Sequence, residues 1–186
     1  MIIINDIHLF SSHALYSVEN FEEILNFYRK MRNEIVLAGD IVDLSNVKKN
    51  EVDDAIKYAQ KLKYDFGPRY LCGNHELQTF DSEIYKIPNE PILIAHGHRE
   101  LWGQEKCEEY YKNSSIGAGF LKRSILPAFD YFRHFKNPKI NNEQENRINY
   151  LLQKYSCKTL ICGHSHIKKK IQIGNVILLP RGVNVI

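Results

Sequence analysis

The stretch Ile35-Val36-Leu37-Ala38-Gly39-Asp40-Ile41-Val42-Asp43 limits what this chain can fold into more than any other. It is an apolar run without alternation, which reads as a strand buried on both faces, and Gly39 lets the backbone turn sharply at its end. Asp40 then stands at the carboxyl edge of a sheet, where open α/β sheets collect ligands. With two oxygens, its carboxylate is expected to hold one divalent cation on each. The same pattern, an apolar run ending in metal-type ligands, recurs in four other places. Met1 to Ile4 leads into Asn5-Asp6-Ile7-His8, and Arg69-Tyr70-Leu71-Cys72 into Gly73-Asn74-His75-Glu76. Pro91 to Ala95 ends in His96-Gly97-His98, and Lys158 to Cys162 in Gly163-His164-Ser165-His166.

Each of the eight histidines except His13 and His134 lies in one of these strand-end motifs, a distribution that scattered core or surface histidines would not show. Asp6 and His8 are two residues apart, so in extended backbone both side chains share a face and can reach one cation. A capping Asp beside a surface His is the plainer alternative for that pair.

Between the motifs the periodicity changes. Val18, Phe21, Ile24, Leu25 and Tyr28 fall at helical spacing within Ser17 to Met31, giving an amphipathic crossover helix and a βαβ unit leading to Asp40. Ile56, Ala59 and Leu62 mark a second helix from Val52 to Leu62, ended at Gly67-Pro68, and Ile148, Leu151 and Leu152 mark a third from Glu143 to Tyr155. Ile171 to Gly182 reads as a hairpin with its turn at Gly174-Asn175, closing a second sheet. At 186 residues, 44% apolar and 25% charged, the chain is expected to be one globular domain, residues 1–186. Its formal charge of +3 is too small to argue for nucleic acid. No signal peptide or membrane span is read at the N terminus, and the four cysteines form no Cys-x-x-Cys pair. Reduced thiols in a cytoplasmic protein are expected.

The ordered series Asp-x-His, Gly-Asp-x-x-Asp, Gly-Asn-His-Glu, His-Gly-His and Gly-His-x-His resembles the calcineurin-like metallophosphoesterase superfamily. It stands here as Asp6/His8, Gly39-Asp40/Asp43, Gly73 to Glu76, His96 to His98 and Gly163 to His166. The resemblance implies an α/β fold, a four-layer α/β/β/α sandwich, with two metals at the strand ends. It gives Asp6, His8, Asp40 and His166 to one metal and Asp40, Asn74, His96 and His164 to the other, with Asp40 bridging. Imidazole, carboxylate and amide oxygen without thiolate suit two divalent ions, Mn²⁺ first, with Fe, Zn²⁺ or Ni²⁺ as alternatives. Two cations roughly 3.5–4 Å apart clamp a phosphate and lower the pKa of a bridging water for in-line attack. By the same resemblance His75 is no ligand and stabilises charge on the phosphate or protonates the leaving oxygen. Asp43 either orients Asn74 or His75 or caps a turn.

Arg99 to Pro138 is more chain than a minimal fold needs, about forty residues. It is expected to form a cap of two or three short helices, residues 99–138, with His98 and Arg123 contacting substrate. Its aromatic residues either pack on the domain or offer a stacking platform. Arg181 is read either as a phosphate contact or as a solvated side chain. The implied activity is metal-dependent hydrolysis of a small-molecule phosphate monoester, diester or pyrophosphate. A nuclease and an inactive binding scaffold are the alternatives, nucleic acid being the less favoured partner. The cap and Gly-Asp-Ile-Val-Asp are also somewhat similar to the UDP-2,3-diacylglucosamine pyrophosphatases, which carry Arg where this chain has His75.

Overall fold

Successive side chains of the central strands enter different cores, and this builds the layers of the molecule. The computed structural model describes residues 1–76, 83–114 and 139–186. In β1 (Ile2–Asn5) and β2 (Ile35–Ala38), Ile2, Ile4, Ile35 and Leu37 face a core shared with helices α1 (Val18–Lys30) and α2 (Val52–Phe66). Ile3, Val36 and Ala38 point the other way, into a core with Ile94 and Ile161 of the opposite sheet. Leu93 and Ala95 of β5 (Ile92–Ala95), with Leu160 and Cys162 of β6 (Thr159–Cys162), meet Ile148 and Leu152 of helix α5 (Asn142–Lys154). Helix, sheet, sheet and helix thus stack around three cores, the expected α/β/β/α sandwich. Runs without alternation follow directly, because both faces of each strand are covered.

The first sheet has the order β3-β2-β1-β9, where β3 is Tyr70–Leu71 and β9 is Gly182–Val185. β1, β2 and β3 run parallel, so their carboxyl ends lie at one edge. The second has the order β4-β5-β6-β8-β7, with β4 Ile84–Lys86, β7 Ile171–Ile173 and β8 Val176–Leu178. β5, β6 and β8 are parallel, and antiparallel β4 and β7 form the edges. The β7–β8 hairpin is as expected. The tail beyond it was not anticipated: Gly182–Val185 crosses to the first sheet and pairs antiparallel with β1, Ile4 opposite Val183.

Ser17 caps α1 by accepting from the Asn20 N–H, and Asn141 with Gln144 forms a reciprocal capping box on α5. Of the expected cap, the described residues contain α3 (His98–Trp102) and α4 (Gln104–Asn113). Lys122, Arg123, Arg133 and Lys136 lie outside them. The Leu101 carbonyl accepts from Gln144 Nε2 at 2.7 Å and the Glu100 carbonyl from Arg147 Nε at 3.1 Å, which fastens α3 to α5. All four cysteines are free and buried. Among the described residues no helix is long and apolar enough to cross a membrane.

Candidate metal centre

The loops leaving β1, β2, β3, β5 and β6 converge, and close backbone approach is what permits it. Gly39, at φ +86°, lies where an added Cβ would be 2.7 Å from the His96 ring. A Cβ on Gly73 would fall on the Asp40 carboxylate and its backbone nitrogen. Of nine non-glycine residues with positive φ among those described, five are Asp6, His8, Asp40, His164 and His166. Left-handed backbone costs such residues on the order of 1–3 kcal/mol each and persists only where the surroundings enforce it. That strain gathers on expected ligands.

Glu76 enforces much of this geometry. Its buried carboxylate accepts from the backbone N–H groups of Asp40, Ile41, Val42 and Gly73 at 2.6–3.2 Å, and from the Tyr70 hydroxyl at 3.2 Å. Burial, with the Asp40 charge beside it, pushes the carboxyl up to about 8, while the backbone hydrogen bonds pull it down. Four N–H donors around two oxygens fit the ionised form. Glu76→Gln, which sets an amide donor against those N–H groups, is expected to cost on the order of 3 kcal/mol. Denaturant unfolding measures it, and an unchanged midpoint would contradict the role.

Two groups of ligand atoms face one another across the sheet edges. In the first, Asp6 Oδ1 stands 3.0 Å from His166 Nε2, which is 3.4 Å from His8 Nε2. In the second, His96 Nε2 is 3.3 Å from Asp40 Oδ2, 3.3 Å from Asn74 Oδ1 and 3.1 Å from His164 Nδ1. Asp40, Asn74, His8 and His96 are buried, and His164 is partly open. Asp40 Oδ1 accepts the His75 N–H at 2.8 Å, while Oδ2 lies 3.3 Å from His96 and 4.0 Å from His8. Oδ2 is thus the atom turned to both groups.

The donor sets fit divalent cations. Asp6 Oδ1 is buried and makes no hydrogen bond among the described residues, although an imidazole nitrogen stands beside it. Ligands about 2.0–2.2 Å from one ion lie roughly 3–3.5 Å from one another, the spacing seen here. Burial and the charges of His96 and His98 hold His164 well below its ordinary value, and burial lowers His8. Both imidazoles keep a lone pair near neutrality. For Asp6, burial works upward but the adjacent His166 prevails, and for Asp40 His96 and His75 prevail, so both carboxyls end low. His96 behaves oppositely: burial works downward, but the Asp40 carboxylate carries it up to about 9. A cation must displace that proton, since only neutral imidazole is a ligand. Affinity for Mn²⁺ is therefore expected to climb between pH 6 and 8, by about tenfold per unit per proton released, and to level off above about 9. Calorimetric titration at several pH values tests this, and a flat profile would refute it.

Behind the ligands, Asp43 serves two histidines. Its Oδ1 lies 2.9 Å from His75 Nδ1 and its Oδ2 3.4 Å from His8 Nδ1. Ser45 Oγ donates to Asp43 Oδ1 at 2.6 Å, and Asn46 donates to the same carboxylate through its backbone N–H and Nδ2. Asp43 therefore both accepts from the Asn46 N–H within its own turn and pairs with His75, while no contact with Asn74 is seen among the described residues. Burial works against protonating His75, but the Asp43 and Asp40 charges raise it well above the usual imidazole value. Its Nε2 is 3.9 Å from Asp40 Oδ2.

His98, expected to contact substrate, packs beneath Tyr111 here. The residue is 3% exposed, and Nε2 bonds the Tyr111 hydroxyl at 2.8 Å. Arg181 is not merely solvated: Nε donates to the Asp6 carbonyl and Nη2 to the His13 carbonyl, both at 3.0 Å. Sequence reasoning also passed over Asn5, whose Nδ2 donates to Asp6 Oδ2, and Ser45 and Asn46. The signal for the latter two was simply adjacency to Asp43.

The two-sheet sandwich gathers carboxylates, imidazoles and an amide oxygen at its strand ends, a donor set that could hold metal ions. The model of calcineurin-like phosphoesterases matches residues 1–168, and the chain belongs to that family. No curated protein matches the sequence. Among solved structures, one described as a cold-active protein tyrosine phosphatase is similar at 15% identity and a TM-score of 0.41, over 98% of this chain and 72% of that one. That likeness carries no argument about activity.

Proposed function

We propose that this chain, as one domain with a helical cap, hydrolyses a small-molecule phosphate ester with two divalent ions. One would be held by Asp6, His8, Asp40 and His166, the other by Asp40, Asn74, His96 and His164. The observation that carries the reading is the convergence of both ligand groups on Asp40 Oδ2. When bound, the ions would neutralise phosphate charge and supply a nucleophilic water at neutral pH. His75, kept protonated by Asp43 and Asp40, is placed to give its Nε2 proton to the departing oxygen. Asp43 holds His8 and His75 in orientation through their Nδ1 atoms. Mn²⁺ is the ion we favour, and four buried free thiols suit a reducing cytoplasm.

A panel of phosphate monoesters and diesters assayed with Mn²⁺ tests the reading, with a nucleotide-sugar diphosphate and short DNA included. Chelator-sensitive turnover of the small esters is expected. Preference for DNA would favour the nuclease alternative. Bound metal without turnover of any ester would favour the scaffold.

A further inference from the structure

The first helices after His96 bring aromatic rings to the metal centre. The Trp102 ring centroid lies 4.5 Å from that of His164, steeply inclined to it. Tyr110 follows at 5.7 Å from Trp102 and is 6.2 Å from the His75 ring. Tyr111 continues the row 5.7 Å from Tyr110 and is tied to His98 through its hydroxyl. Trp102, Tyr110 and Tyr111 are all partly exposed. The row thus runs from an expected ligand, His164, to the expected proton donor, His75. A leaving group departing on the His75 side would travel along these rings.

The Trp102 end of the row is anchored to another layer. Gln144 and Arg147 of α5 grip the Leu101 and Glu100 carbonyls at the end of α3, one and two residues before Trp102. Gly103, at φ +85°, makes the corner into α4, where an added Cβ would be 3.3 Å from the Arg147 guanidinium. A ring whose backbone is fastened to another layer loses less freedom on binding, which favours recognition of a flat partner.

We propose that Trp102 and Tyr110 form a stacking wall for a flat aromatic ring in the leaving group of the substrate, a nucleobase or an aryl ring. This rests on the phosphoesterase reading but is tested apart from it. Trp102 is the single tryptophan of the chain, so its emission reports on the wall directly. Metal-loaded protein is mixed with a large excess of adenosine 5′-monophosphate, phenyl phosphate or ribose 5-phosphate, and quenching is read in the first seconds. Half-quenching by the nucleotide or by phenyl phosphate is expected at a concentration roughly 10- to 100-fold below that for ribose 5-phosphate. Whichever aromatic ester wins identifies a nucleobase or a directly attached ring. Tyr110→Ala, which keeps the reporter, should reduce that preference roughly tenfold, and Tyr110→Phe should restore it. Should the Ala variant fail to fold, calorimetric titration of Trp102→Leu gives the same comparison. Equal response to all three esters, or a preference that survives loss of the ring, overturns the wall. If the preference is present while no ester is hydrolysed, the wall stands and the hydrolytic reading fails; hydrolysis without preference removes the wall alone.

Discussion

Asp40→Asn is expected to empty the centre and abolish hydrolysis while the protein stays folded. The substitution keeps size and shape, and the amide oxygen can still accept the His75 N–H that Oδ1 accepts at 2.8 Å. The other position, which faces His96 at 3.3 Å and His8 at 4.0 Å, would carry NH₂ hydrogens in place of a charged oxygen. A donor pointed at two cations repels both, and the charge that offsets them is gone. Loss of several kcal/mol of transition-state stabilisation corresponds to a rate fall of roughly a thousandfold or more. Metal analysis and hydrolysis assays on the variant test this. Two tightly held ions with normal turnover would remove Asp40 from the bridging position.

His75→Ala is expected to separate catalysis from metal binding. His75 Nδ1 is engaged by Asp43 at 2.9 Å, and its Nε2 remains 3.9 Å from Asp40 Oδ2, so neither nitrogen completes the two ligand groups. Metal content should therefore be kept while kcat falls by roughly 10²–10⁴, the range for losing proton transfer to a leaving group. The pH profile gives a second readout. With its pKa raised, His75 would serve as the acid over the neutral range and lose its proton at higher pH, so the rate should decline on the alkaline side. That decline should vanish in the variant. Loss of metal instead would place His75 among the ligands.

The central strands were legible because burial on both faces removes alternation, whereas the edge strand β4, only partly buried, was not read. Ile35 to Ala38 could read as little else, and the ligand motifs followed each run at once. Helices α1 and α5 were legible from periodicity to within a residue or two. What escaped was set by partners distant in the chain. β9, Gly-Val-Asn-Val, is a short edge strand whose pairing with β1 is fixed by residues at the opposite end of the sequence. Arg181 has two acceptors in loops far away in sequence, at Asp6 and His13, and no local signal announces them. A supporting part for Glu76 was legible from its motif, but not that it accepts from four backbone N–H groups in two loops. The left-handed backbone at Asp6, His8, Asp40, His164 and His166 also left no mark, since none is the glycine that such φ values favour.

The central claim is that two cations at the strand ends carry phosphoester hydrolysis. Chelator-treated protein titrated with Mn²⁺ while hydrolysis of an aryl phosphate is followed tests it most directly. The account predicts no turnover at the start and full recovery only when about two equivalents are bound, the number for a bridged pair. Undiminished hydrolysis in the stripped protein, or complete recovery at one equivalent, would contradict it.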